Sequence, residues 1–146
     1  MPPNAGRLVQ PDWSMLDARV PRKTRTVLAN PAGKKIMRDV TLAFVRVHVL
    51  HHAAKERIFG LEMIEELKRH GYELSAGTLY PLLHTLEADA VLVSTQEVVE
   101  GKVRRYYRTT KAGDALLVQV RAKIGELIDE VLDQHPTAKR SKSRAS

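Results

Sequence analysis

A chain of 146 residues with 43% hydrophobic residues is long enough to bury the core of one domain. It contains no cysteine, which excludes disulfides, thiolate metal sites and cysteine nucleophiles. The formal net charge of +7 favours a polyanionic partner, but residues 1–35 carry +5 and residues 135–146 carry +4, which leaves −2 for residues 36–134. A nucleic-acid site in the folded part must therefore rest on a local cluster of basic residues.

The most apolar segment, residues 40–54, is too short for a membrane span and is interrupted by Arg46 and three histidines. The N-terminus also lacks the apolar region of a signal peptide. We therefore expect a cytoplasmic protein with no membrane partner.

The two ends of the chain predict little regular structure. Residues 1–35 contain five prolines and scattered arginines without a sustained period, which predicts an irregular N-terminal arm. A start of translation at Met15 or Met37 is an alternative that the sequence leaves open. Residues 135–146 are polar and basic, which predicts a disordered tail.

Residues 36–54 predict a long helix that is apolar on two sides. A small domain cannot cover both sides, so we expect one to pack on the core and the other, with Phe44 and Val47, on a partner subunit.

Three histidines on this helix, His48, His51 and His52, have a spacing that can offer two imidazoles to a metal ion. The more common role of such histidines is to border the core and pair with the backbone or with Glu56. Because the sequence places no third ligand, we assign neither a metal site nor a cofactor.

Residues 60–71 predict a second, shorter helix with Leu61, Ile64 and Leu67 buried and Gly71 as its stop. Residues 72–74 are expected to form only a short connecting strand.

The third predicted helix, residues 75–89, has the most distinctive surface. Four leucines fall on one side, whereas the other side is small and neutral instead of carrying the usual Lys and Glu. Such a face predicts close contact with a partner. Either Ser75 or Thr78 can cap the helix, and Pro81 favours the later start.

Residues 91–99 and 103–109 predict a β-hairpin with its tip at residues 100–102. The tip and return strand carry the densest local positive charge of the folded region. A solvated edge strand is the alternative interpretation. The neighbouring uncharged helix favours a nucleic-acid contact instead. The basic residues are Lys102, Arg104, Arg105 and Arg108.

Thr110 is the predicted cap of a last helix that extends to about Gln134, with an apolar stripe at alternating spacings of three and four. This helix is too long for the domain to cover, so we predict that it forms a dimer with the first helix of a second chain. The predicted interface residues are Phe44, Val47, Leu117, Val120, Ile124, Leu127 and Val131.

The order of these elements predicts a mainly α (α+β) fold, a winged helix-turn-helix over residues 36–110 followed by a dimerisation helix over residues 111–134. In such a fold the third helix enters the major groove of double-stranded DNA and the hairpin contacts the flanking backbone. We expect Tyr80, His84 and Thr85 to contact bases, and the hairpin cations to hold phosphates.

Three stretches of the chain together resemble the PadR family of bacterial transcriptional regulators. They are Phe-Gly-Leu-Glu-Met-Ile at 59–64, Gly-Thr-Leu-Tyr-Pro-Leu-Leu-His-Thr-Leu-Glu at 77–87 and Arg-Arg-Tyr-Tyr-Arg-Thr-Thr at 104–110. The resemblance, which covers roughly residues 37–120, implies a homodimeric repressor that releases DNA on binding a small-molecule effector such as a phenolic acid.

Carried over by position, the family's DNA contacts fall on Thr78, Tyr80, His84, Thr85 and the hairpin cations. Thr85 stands where the family commonly has Lys or Arg, and residues 1–35 lie outside the family pattern. The effector is expected at the dimer interface.

A different class of function is a winged-helix module that binds protein through Tyr80 and the neutral face. Salt separates the two, because DNA binding weakens steeply as salt rises and an apolar contact does not. An enzyme is disfavoured, because no serine stands in a nucleophile elbow and no glycine-rich phosphate loop is present.

Overall fold

The computed structural model of the chain describes residues 30–132, so the predictions for residues 1–29 and 133–146 lie outside the described part. The chain divides into two compact units between Val40 and Thr41. The helices are α1 (Pro31–Lys55), α2 (Gly60–Arg69), α3 (Ala76–Ala88) and α4 (Lys111–Leu132), and the strands are β1 (Ile58–Phe59), β2 (Leu92–Val99) and β3 (Lys102–Thr109).

These elements form a winged helix fold, as predicted. The strands make one antiparallel sheet in the order β1-β3-β2. Glu100 and Gly101 both have positive φ, 51° and 74°, at the tip between β2 and β3, which is the backbone of a type I′ hairpin turn. Within residues 30–132 every helix is too short or too polar to cross a membrane.

The core of the larger unit lies where the inner faces of the helices meet the sheet. Leu79 and Leu83 of α3 are completely buried, and Tyr107 of β3 is 1% exposed. The remaining core side chains come from α3 itself and from α1, β1, α2, β2 and α4. They are Val45, Val49, Leu50, Ala53, Ile58, Met63, Leu67, Leu82, Leu86, Leu92 and Leu117.

Helix α1 begins at Pro31 and not at the predicted Ile36. Asn30 accepts a hydrogen bond from the backbone N–H of Ala32 through Oδ1, at 2.9 Å. Pro31 stands at the first helical position, where its missing N–H costs nothing. The predicted arm therefore becomes helical before residue 35.

Helix α2 ends as predicted. Gly71 has φ +85°, and the N–H of Tyr72 donates to the carbonyl of Leu67 at 2.9 Å, which closes a Schellman motif. The prediction that Leu61 is buried was wrong: it is 63% exposed, and Met63 is buried in its place. Residues 72–74 form a loop and not a strand.

Helix α4 begins as predicted, with the Oγ1 of Thr110 accepting a hydrogen bond from the N–H of Gly113 at 3.0 Å. Gly113 is buried where α4 crosses the base of the hairpin. A Cβ added at this position would lie 2.1 Å from the carbonyl oxygen of Val91, so only glycine allows this close approach. Helix α4 is thereby held directly against the hairpin.

Candidate nucleic-acid interface

Helix α3 presents the two faces that the sequence predicted. Its four inward leucines are at most 7% exposed. The outward residues include no Lys, Arg, Asp or Glu, and all of them are exposed: Gly77, Pro81, His84, Thr85 and Ala88. This face can therefore approach a flat or grooved partner closely, because the contact does not require a charged side chain to lose its hydration.

Helix α3 starts at Ala76, which makes Ser75 the N-cap and overturns the preference for a later start. Ser75 is extended, at φ −77° and ψ 158°, and its carbonyl accepts hydrogen bonds from the N–H groups of Thr78 and Leu79. Pro81 consequently lies inside the helix, where it removes one backbone donor. The Ser75 and Thr78 hydroxyls lie 3.3 Å apart at the exposed N-terminal turn.

Thr85 uses its hydroxyl within the helix. Its Oγ1 donates to the carbonyl of Pro81 at 2.9 Å, one turn earlier. His84, the neighbouring predicted reader, is exposed. The two predicted base-contacting residues on the outer face are therefore not equivalent, because the hydroxyl proton of Thr85 is already donated within the helix.

Tyr80 lies at the junction between α2 and α3 and is half-buried against the core. A Cβ added at Gly60 would lie 2.6 Å from its Cε1 and 2.8 Å from its hydroxyl oxygen. The ring therefore packs directly on the backbone at the start of α2. This contact fixes the angle between α2 and α3. It does so whichever group the hydroxyl of Tyr80 binds.

The alternation of side chains along β3 divides the basic residues between two faces of the hairpin. Arg105 shares its face with the buried Tyr107, and its Nε donates to the Oγ of Ser94 at 3.0 Å. Ser94 in turn donates its hydroxyl and its N–H to Oε1 of Glu87, on the last turn of α3. This chain of hydrogen bonds fixes the hairpin relative to α3.

The opposite face of the hairpin carries stacked cations and aromatic rings. The guanidinium carbon of Arg104 lies 4.9 Å from the ring centroid of Phe59, and that of Arg57 lies 4.1 Å from the ring of Tyr106. Arg57 also pairs with Glu97, which stands opposite Arg104 in the register. Arg104 is thus half-buried, whereas Lys102 and Arg108 are exposed.

Sequence reasoning missed the residues that hold this surface in shape, namely Glu87, Ser94 and Arg57. In the sequence, Glu87 resembles any solvent-facing acidic residue of a helix. The hydrophobic pattern does not predict that Arg57 precedes a strand. Their roles arise from contacts between residues 7 to 40 positions apart, which no local period encodes.

The predicted dimer residues fall into three groups of exposure. Phe44, Leu127 and Val131 are 43%, 52% and 57% exposed within one chain. Val47, Val120 and Ile124 are half-buried. Leu117 is 3% exposed and belongs to the chain's own core, so its side chain is already covered without a partner.

A cavity of about 330 Å³ opens between α1 and α4. Arg121 donates from Nη2 to Nδ1 of His51 at 3.1 Å at its rim. Burial, and then the charges of Lys55, His52 and Arg121, lower the pKa of His51, so the ring is neutral and can accept this bond. The cavity is lined by Phe44, Val47, His48, His51, Tyr72, Leu117, Arg121 and Ile124.

The sequence profile of the PadR-like family of transcriptional regulators matches residues 49–119. A transcriptional regulator of Mycobacterium tuberculosis, Rv3488, is 54% identical over 96 residues, which cover 66% of this chain and 90% of that protein. The chain belongs to the PadR-like family. Its function is therefore that of a DNA-binding transcriptional regulator.

Solved structures of transcriptional regulators, one of them named as a PadR family member, have the same fold. The crystal structure of a PadR family regulator from Eggerthella lenta superposes with a TM-score of 0.61 at 30% identity, over 72% of this chain and 93% of that one. A transcriptional regulator from Clostridium thermocellum superposes with a TM-score of 0.57 at 25% identity, over 67% of this chain and 98% of that one. The resemblance inferred from the three sequence stretches is thus confirmed.

Proposed function

We propose that this PadR-like chain is a homodimeric repressor that binds a two-fold operator and leaves it when a small molecule binds between α1 and α4. The observation that carries the proposal is the exposed, uncharged outer face of α3 beside the exposed cations of the hairpin.

The outer face of α3 is suited to the major groove. A helix enters that groove with its N-terminal residues nearest the base edges. The exposed hydroxyls of Ser75 and Thr78 lie at that end, and His84 lies two turns further along. Small residues at Gly77 and Ala88 allow the helix to approach the base pairs closely.

The hairpin supplies the positive charge that α3 lacks. Lys102, Arg105 and Arg108 are exposed on β3. Each phosphate that they neutralise releases counterions, which strengthens binding to any duplex and makes it sensitive to salt. Because the hydrogen bonds through Ser94 and Glu87 fix the hairpin relative to α3, phosphate contacts also fix the register of the helix.

Dimerisation accounts for the apolar residues that one chain leaves exposed. Leu127, Ile128, Val131 and Leu132 are each about half exposed at the end of α4. Four large apolar side chains on one turn and a half of helix indicate a protein interface. Pairing this end with Phe44 on α1 of a second chain covers them and relates the two α3 helices by a two-fold axis.

The cavity between α1 and α4 provides a place for the effector. Its walls are mainly apolar, and Arg121 offers a cation at the rim. A small aromatic molecule with an acidic group matches this lining. Because both cavity walls carry predicted dimer residues, such a ligand changes the spacing of the two DNA-binding halves.

Two single substitutions test whether α3 recognises the base sequence while the hairpin binds the DNA backbone. We expect His84→Ala to reduce discrimination between operator and unrelated DNA by about 1–3 kcal/mol, because it removes a side chain at the base edges. We expect Lys102→Ala to weaken binding to both duplexes equally and to lower the slope of log affinity against log salt by about one. Fluorescence anisotropy across a salt series measures both quantities.

Lys123→Ala is the matched control, because this lysine is exposed on α4, away from the hairpin, and pairs with Glu126. The slope of log affinity against log salt for Lys123→Ala should equal that of the unmodified protein. An equal loss of slope in Lys102→Ala and Lys123→Ala would contradict the assigned role of the hairpin. Tyr80 is a poor probe, because truncation removes its packing on Gly60.

A further inference from the structure

Three histidines converge between α1 and the end of α2. His48 and His52 lie one turn apart on α1, and His70 is the C-cap of α2. One ring nitrogen from each lies within 4.8 Å of the others. The sequence offered two imidazoles from among His48, His51 and His52 but no third ligand. The fold supplies His70, 18 residues beyond His52.

We propose that His48, His52 and His70 form a binding site for a divalent transition metal ion of the zinc type, with Glu66 as the fourth ligand. The carboxylate oxygen Oε1 of Glu66 lies 3.2 Å from Nε2 of His70 and 3.7 Å from Nε2 of His52. This oxygen of Glu66 thus lies beside two of the three histidines.

The donor set suits zinc. Three imidazole nitrogens and one carboxylate oxygen at about 2.0–2.2 Å make a tetrahedral site, in which neighbouring donors lie about 3.3 Å apart. The three nitrogens lie within 4.8 Å of one another without a metal ion, so binding requires the rings to turn closer together.

Second contacts hold the donors in place. Arg69 binds the other oxygen of Glu66, Oε2, at 2.8 Å, which leaves Oε1 directed at the histidines. The ring of Tyr72 lies edge-on to His48 with centroids 5.2 Å apart. Such outer contacts fix the orientation of metal ligands.

The protonation state of the cluster also favours a metal ion. Burial, and then the proximity of His70, His52 and His51, lower the pKa of His48. Burial likewise lowers the pKa of His52, against the opposing effect of Glu66. Both shifts favour the neutral imidazole, which is the form that binds metal.

The site lies beyond the proposed DNA contacts and is independent of them. It joins α1, which carries predicted dimer residues, to α2, which packs against α3. His48 also lines the cavity between α1 and α4, so the proposed metal site and the proposed effector cavity are neighbours.

The test is zinc binding to the full chain without an affinity tag, stripped of metal by dialysis against a chelator. Competition with a chromophoric chelator at pH 7.5 should give one zinc ion per chain with a Kd of about 1 μM or tighter. His70→Gln should weaken binding at least about 100-fold, more than the loss of an outer contact. His70 is partly exposed at a helix end, so this variant keeps the fold.

His51→Gln is the matched control, because His51 lies on α1 with His48 and His52 but outside the cluster. The affinity of this variant for zinc should stay within about threefold of that of the unmodified protein. Cobalt(II) should give the visible absorption of a four-coordinate ion in the unmodified protein and lose it in His70→Gln. Failure to bind zinc at 10 μM, roughly ten times the expected Kd, would overturn the proposal. An equal loss in His51→Gln and His70→Gln would also overturn it. No DNA is present, so a failure of operator binding leaves this result unaffected.

Discussion

Leu127→Asp should convert the proposed dimer to monomers. Leu127 is 52% exposed within one chain and lies in the apolar stripe at the end of α4. In a two-fold interface each substitution places a carboxylate in the seam twice, and an unpaired buried charge costs about 3–5 kcal/mol. The dissociation constant of the dimer should therefore rise by about 100-fold or more, which light scattering measures as a fall to the mass of one chain.

Val118→Asp is the control for this substitution. Val118 is 65% exposed on the same helix but nine residues from Leu127, which places it on the opposite side. This variant should remain a dimer. A dimer mass for Leu127→Asp, or monomers for both variants, would contradict the assignment of the α4 stripe to the interface.

Gly113→Ala should cause the largest loss of stability of any single methyl group added to the described helices. The new Cβ would lie 2.1 Å from the carbonyl oxygen of Val91 and 3.2 Å from Cβ of Thr109. The first atom is backbone and already accepts a hydrogen bond from the N–H of Thr110, so α4 must move away from the hairpin. We expect a loss of about 3 kcal/mol in the free energy of unfolding, measured by denaturation with urea.

Gly125→Ala on the same helix is the matched control. A Cβ added there meets nothing within 4 Å, so the change should stabilise the protein by about 0.5–1 kcal/mol through helix propensity. If the two alanine variants have the same stability, Gly113 does not hold α4 against the hairpin.

The elements that follow a strong local rule were predictable from the sequence. The four leucines of α3 have the helical period, and all four are buried. Thr110 stands directly before an apolar stripe and caps α4. Glu100 and Gly101 mark the hairpin tip, where a glycine with positive φ is expected.

The start of α3 shows where a local rule was given too much weight. Pro81 suggested that the helix begins at Thr78, but the helix accommodates this proline in its second turn. Here the N-cap at Ser75 accepts hydrogen bonds from the N–H groups of both Thr78 and Leu79.

Strand β1 was missed for a different reason. Two residues are too few to show a period, and only their pairing with Tyr106 and Tyr107 makes them a strand.

The candidate site was only partly predictable, because its shape depends on distant contacts. The neutral face of α3 and the basic return strand could be read locally. The packing of Tyr80 on Gly60 and the hydrogen bonds from Arg105 through Ser94 to Glu87 could not. The same holds for His70, which only the packing of α2 against α1 brings to the other histidines.

The most direct test of the proposed function is footprinting of the purified full chain on the DNA upstream of its own gene, repeated across a salt series. We expect two protected half-sites related by a two-fold axis, with centres about one helical turn, or a multiple of it, apart. Affinity should fall by at least about tenfold between 50 and 200 mM salt. Absence of a protected site at 50 mM salt, or an affinity that does not change with salt, would contradict operator binding by α3 and the hairpin.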